Sequence, residues 1–97
     1  MQITEKKYSA EKCAEAGWVA YDYFVDKPLD DEFILSLRTL GSFIFMTMLK
    51  EPFFKVENHF YIIKGIKGKD FFRIAIHREH SNLLAELEEK MFGQQCL

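Results

Sequence analysis

Four cations, Lys64, Lys67, Lys69 and Arg73, fall within one short stretch, around the segment Gly65-Ile66-Lys67-Gly68. Two glycines allow backbone to approach a phosphate closely, and lysines neutralise it, so these four residues form the candidate anion-binding site. His77 and His80 make an HxxH pair with Glu79 between them, a spacing that begins a metal site only if His59 or a cysteine adds a third ligand. Nothing in the spacing demands one, and solvated surface histidines are expected. Asp30-Asp31-Glu32 bring three carboxylates together, but helix capping and the helix dipole account for all three. Cys13 and Cys96 lie near opposite ends without a CxxC spacing and are expected to be reduced thiols. There is no HExxH, Walker loop, GxSxG elbow or dinucleotide fingerprint. No catalytic residue, cofactor or metal is therefore expected, and the chain is read as a non-enzymatic domain.

The elements that position these residues are legible in part. Residues 9–16 suit a short helix with Ser9 as cap, Ala10, Cys13 and Ala14 on one stripe, and Gly17 as stop. Trp18 to Val25 reads as a strand, with faces Trp18/Ala20/Asp22/Phe24 and Val19/Tyr21/Tyr23/Val25. After Pro28, Asp30 caps a helix whose stripe is Phe33, Ile34, Leu37, Leu40 and Gly41. Gly41 is expected to close it at a positive φ, so that Phe43 to Leu49 enters the sheet as a strand buried on both faces. Phe53 to Val56, Phe60 to Lys64 and Phe71 to His77 follow as strands, with Phe72, Ile74 and Ile76 on one face of the last. Ser81 or Asn82 caps a closing helix that turns Leu83, Leu84, Leu87 and Met91 inward and stops at Gly93. Condensed to its principal elements, the chain is expected to be α+β, in the order α-β-α-β-β-β-α, with an antiparallel sheet of about four strands.

Composition sets the frame. Ninety-seven residues, 48% hydrophobic and 29% charged, make one globular domain. The net charge of −2 is unevenly spread: residues 1–49 and 79–97 each carry −3, whereas residues 50–78 carry +4. No signal peptide is evident, and the apolar run from Phe43 to Leu49 is too short to span a bilayer, so a soluble, cytoplasmic protein without membrane contact is expected.

Gly65-Ile66-Lys67-Gly68 is similar to the GxxG loop with which KH domains clamp a nucleic-acid backbone. That loop joins two helices, whereas strand-like runs flank this one, so a hairpin turn is expected. Residues 30–92 also resemble a double-stranded-RNA-binding domain in element order. That resemblance implies a basic surface at the start of the closing helix. Here His77-Arg78-Glu79-His80-Ser81-Asn82 offers one permanent positive charge, and Glu86, Glu88 and Glu89 follow.

Two short helices can cover one face of such a sheet. The other face keeps apolar residues, from Phe43/Phe45 or Ile44/Met46/Met48 and from Tyr61/Ile63 or Phe60/Ile62. It needs a cover, either the first helix or a second subunit. The function expected is a small interaction domain that self-associates as a homodimer through this face, with a protein partner as a variant of the same role. The alternative is anion or nucleic-acid binding through Lys64, Lys67, Lys69 and Arg73, which the acidic pI of about 5.9 disfavours. A small-ligand pocket lined by Trp18, Tyr21 and Tyr23 is a third reading.

Overall fold

The computed structural model describes residues 2–8 and 17–92. The helix expected over 9–16, both cysteines and Gly93 lie outside the described residues. Six strands and two helices run in the order β1 (Ile3–Tyr8), β2 (Trp18–Val25), α1 (Asp31–Ser36), β3 (Ser42–Met46), β4 (Phe53–Glu57), β5 (Tyr61–Ile66), β6 (Phe71–His77) and α2 (Leu83–Phe92). Turns of 3-10 helix, Leu37–Thr39 and Arg78–His80, extend α1 and precede α2. The strands form one sheet, ordered β1-β2-β6-β5-β4-β3 and antiparallel at every step. The α+β class agrees with the sequence. The expected four strands are corrected to six, because the runs after Gly41 each form a separate strand and β1 adds another.

Alternation along each strand sorts the side chains onto two faces. Tyr23 and Val25 of β2, Phe54 and Val56 of β4, Tyr61 and Ile63 of β5, and Phe72, Ile74 and Ile76 of β6 are buried together. Ile34 and Leu37 join them from α1 and its extension, and Leu84 and Leu87 from α2. Both described helices therefore lie on this inner face. Four rings fasten them there. Phe72 stacks on Tyr23 at 5.4 Å between centroids and meets Phe33 of α1 at 5.5 Å and Phe92 of α2 at 5.9 Å. Ring pairs of this kind add about 0.5–1.5 kcal/mol each beyond the area they bury.

Local chemistry fixes the helix and strand ends. Asp30 caps α1 as expected, its Oδ1 accepting the Phe33 N–H at 2.8 Å. Asn58 shapes the β4–β5 turn: its side-chain oxygen accepts from the N–H groups of Phe60 and Tyr61 at 2.8 and 3.0 Å, and its Nδ2 donates to the Leu40 carbonyl at 3.1 Å. The step from helix to strand occurs at Gly41-Ser42, but by a different cause from the expected one. Positive φ is found at Gly17 (+89°) and Gly68 (+90°), not at Gly41. Gly41 instead passes so close to β4 that a β-carbon there would collide with the Glu57 carbonyl. The strand it introduces ends at Met46, short of the expected Leu49, and is not buried on both faces: β3 is an edge strand with Ile44 and Met46 exposed. Among the described residues, no helix is long and apolar enough to cross a membrane.

The outermost strand β1 is held by a polar device. The Lys6 ammonium lies 4.9 Å from the centroid of Tyr21 and 5.4 Å from that of Tyr23, and donates to Glu88 Oε2 of α2 at 2.9 Å. The buried Tyr23 hydroxyl donates to the same oxygen at 2.7 Å. Burial, reinforced by the Glu88 hydrogen bond and charge, holds the Tyr23 phenol far above its ordinary pKa.

Gly41→Ala should destabilise by about 2–3 kcal/mol, as overpacking against backbone does. Gly68→Ala, with a positive φ and open space around it, should cost only about 1 kcal/mol. Equal losses in urea denaturation would show that the Gly41 approach to Glu57 is not tight. Tyr23→Phe should cost about 2 kcal/mol, the worth of a hydrogen bond to a charged group. Because the folded state keeps the phenol protonated, its contribution is intact below the ordinary value of 10 and is lost as pH rises above it. An alkaline denaturation series should therefore be shallower for Tyr23→Phe than for the parent protein, and an equal slope would contradict the linkage.

Candidate functional site

The outer face, turned away from both described helices, is organised by register into rows that run across the strands. At one end Met46, Phe53 and Ile66 are successive neighbours, and Phe71 pairs with Phe24. One pleat further, Ile44, Lys55, Lys64, Arg73, Asp22 and Lys7 stand opposite one another from β3 to β1. The next row is Ser42, Glu57, Ile62, Ala75 and Ala20. Lys55, Lys64 and Arg73 thus put like charges on three adjacent strands spaced about 4.8 Å apart. Like charges directly opposite each other repel, and neighbouring groups offset that repulsion. Carboxylates moderate it at both ends. Asp22 Oδ1 accepts from Arg73 Nε at 2.7 Å, and Glu57 Oε1 lies 3.7 Å from Lys55 Nζ. Burial raises the Asp22 carboxyl above its ordinary pKa.

Three of the four candidate anion-binding residues come together. Lys64, Lys69 and Arg73 line a cleft of about 250 Å³ with Phe53, Ile66 and Phe71. Lys67 does not join them, because its ammonium meets Asp31 Oδ1 on α1 at 2.8 Å. The Gly65-Ile66-Lys67-Gly68 segment is a hairpin turn, and its N–H groups serve the fold. Lys67 N–H donates to the Pro52 carbonyl at 2.8 Å, Gly68 N–H to Leu29 at 2.9 Å and Lys69 N–H to Ile66 at 3.2 Å. These N–H groups are committed to carbonyls within the fold. Lys55 was not singled out by the sequence, although its place between the inward-facing Phe54 and Val56 marks it as outward-facing.

The other candidates separate. Trp18 lies on the outer face and Tyr21 and Tyr23 on the inner one, so they line no common pocket. His77 and His80 have ring centroids 6.1 Å apart, and His77 Nδ1 accepts the Glu79 N–H at 3.2 Å. Among the described residues no group of three metal-ligating side chains is assembled.

The two sheet edges differ in kind. β1 carries Glu5, Lys6 and Lys7 and has a register irregularity between Ile3 and Glu5. Charges and bulges are the usual means of keeping an edge from pairing. β3, Ser42–Met46, has no charge, no proline and an unbroken register with β4. Ile44 and Met46 on it, and Met48 and Leu49 just beyond it, are exposed by 47, 43, 97 and 49%. No protein-family model, curated protein or solved structure matches the chain.

The Asp22–Arg73 pair joins β2 to β6 at the middle of the sheet, where both side chains are largely shielded from solvent. Asp22→Asn should therefore cost about 1 kcal/mol, at the upper end of what surface pairs contribute. Denaturant unfolding checks this, and an unchanged midpoint would show that the pair adds nothing to the β2–β6 contact.

Proposed function

We propose that the protein is a small interaction domain that pairs with a second copy of itself along the β3 edge. The observation that carries this reading is the contrast between the edges: β1 has devices against pairing and β3 has none. A two-fold axis through Ile44 sets Ile44 against itself, Phe43 against Phe45 and Ser42 against Met46. No charge meets a like charge in that ladder. The two Lys55 side chains, opposite Ile44 on β4, stand three strand spacings apart, about 14 Å, which exceeds the ~8 Å screening length at physiological salt. Beyond Met46 the chain carries Met48 and Leu49 past the end of the ladder, adding apolar area at its margins. A five-residue ladder with these flanks is at the small end of specific interfaces, which suits a dimer that forms in the micromolar range.

The proposal is tested by sedimentation equilibrium over a range of concentrations. The mass should rise from 11.5 kDa towards twice that value. Met46→Lys, a change at an exposed position, should hold the protein at 11.5 kDa with its thermal stability unchanged. A parent protein that stays at 11.5 kDa throughout would refute the reading.

A further inference from the structure

We infer that the Glu5–Tyr8 part of β1 is a strap, closed on β2 by the charge of Glu88 and opened when that carboxylate is protonated. The inference involves no β3 contact and stands apart from the self-association proposed above. Its first support is how little apolar burial holds the segment. Of the six β1 residues Ile3 alone is half-buried, and the other five are exposed. Such a strand draws its attachment from backbone pairing and from what its polar side chains reach. The second support is the division of its ties. The register irregularity between Ile3 and Glu5 separates two anchors. On the near side, Gln2 N–H donates to Asp26 Oδ1 at 2.9 Å, Asp26 N–H donates to the Gln2 carbonyl at 3.1 Å, and Ile3 packs against the core. On the far side, Lys6 crosses the rings of Tyr21 and Tyr23 to meet Glu88 Oε2, and Tyr8 stacks on Tyr21 at 4.9 Å. An irregularity of this kind interrupts the ladder locally, so the far part can lift while the near part stays.

Glu88 is placed to act as the switch. The charged and titratable groups facing it are Lys6 from β1 and Tyr23 from β2, with Tyr21 beside them. On α2 itself the positions three and four residues away are Leu84, Ala85, Met91 and Phe92, so no helix neighbour there supplies a second ion pair. The phenols of Tyr21 and Tyr23 are both held above their ordinary value, by burial first, and neither changes charge on the acid side. Both ends of the Lys6–Glu88 pair are partly exposed, so a proton reaches the carboxylate without unfolding. Ionised Glu88 holds Lys6, and closure is therefore complete at neutral pH and lost as falling pH protonates Glu88. Asp26 belongs to the other anchor. The Gln2 N–H holds its carboxyl below the ordinary range, which keeps that tie intact to lower pH. Once lifted, the strap leaves the backbone of Tyr21 to Phe24 without its partner strand, a template for another extended chain.

The experiment is residue-resolved amide hydrogen exchange at one low protein concentration, from about pH 7 down to about pH 3.5, a range that spans ordinary carboxylate titration. Protection is corrected for the intrinsic exchange rate at each pH. Protection of the Glu5–Tyr8 amides should fall about fivefold across the series, the loss of one partly exposed ion pair. The amides of β5 and β6 should keep theirs. Glu88→Gln should show that loss already at neutral pH, with no further fall on acidification. Lys6→Gln, at an exposed position, should lose about tenfold, because the contact with the tyrosine rings goes as well. Asp26→Asn should leave the pH course of Glu5–Tyr8 unchanged. Glu5–Tyr8 protection that is the same at both ends of the series, a fall shared by β5 and β6, or an undiminished acid fall in Glu88→Gln would each overturn the inference.

Discussion

Packing of Phe33, Leu37, Leu84 and Leu87 onto Tyr23, Phe54, Phe72 and Ile74 is the contact on which the rest of the structure depends. Each of those sheet residues is flanked along its strand by a residue of opposite orientation. Once one face is fixed by burial, the period of two fixes the other, and a slip of one residue would invert both. Register is thus set from the inside. The outer rows, including the cationic one, are a consequence of where the core residues must sit.

Two short helices and six strands leave an imbalance of surfaces. The helices cover the inner face, and the ring contacts among Phe33, Phe72 and Phe92 centre that cover on β6, next to β2. β1, though outermost, is tied back to α2 through Lys6 and Glu88 and is protected by its own charges. β3 lies at the opposite edge, anchored by its ladder to β4 and by the close passage of Gly41 beneath Glu57. Among the described residues the two edges thus differ: β1 carries charges and a register irregularity, β3 carries neither, and a mixed basic and aromatic face lies between them.

The inner face was legible in the sequence. Alternation in Trp18–Val25 and Phe71–His77 gives both faces correctly, and Asp30 announces its helix, because these signals are local. What escaped was set by contacts distant in sequence. Ile3–Tyr8 has apolar residues only at its two ends and becomes a strand through its ladder to β2 and the reach of Lys6 to Glu88. Gly41 matters for its neighbour across the sheet, not for its own torsion angles. The four cations of residues 64–73 look equivalent in sequence, yet Lys64 and Arg73 lie on strands facing outward, while Lys67 bends to Asp31. Lys55 joins them only through strand pairing, which no local pattern encodes.

Amide hydrogen exchange measured at increasing protein concentration tests most directly whether β3 is the unguarded edge that a second copy completes. Protection of the Ser42–Met46 amides should grow with concentration, while that of Ile3–Tyr8 stays constant, because only the first edge gains a partner strand. Protection of β3 that does not depend on concentration, or a rise at β1 instead, would contradict the account.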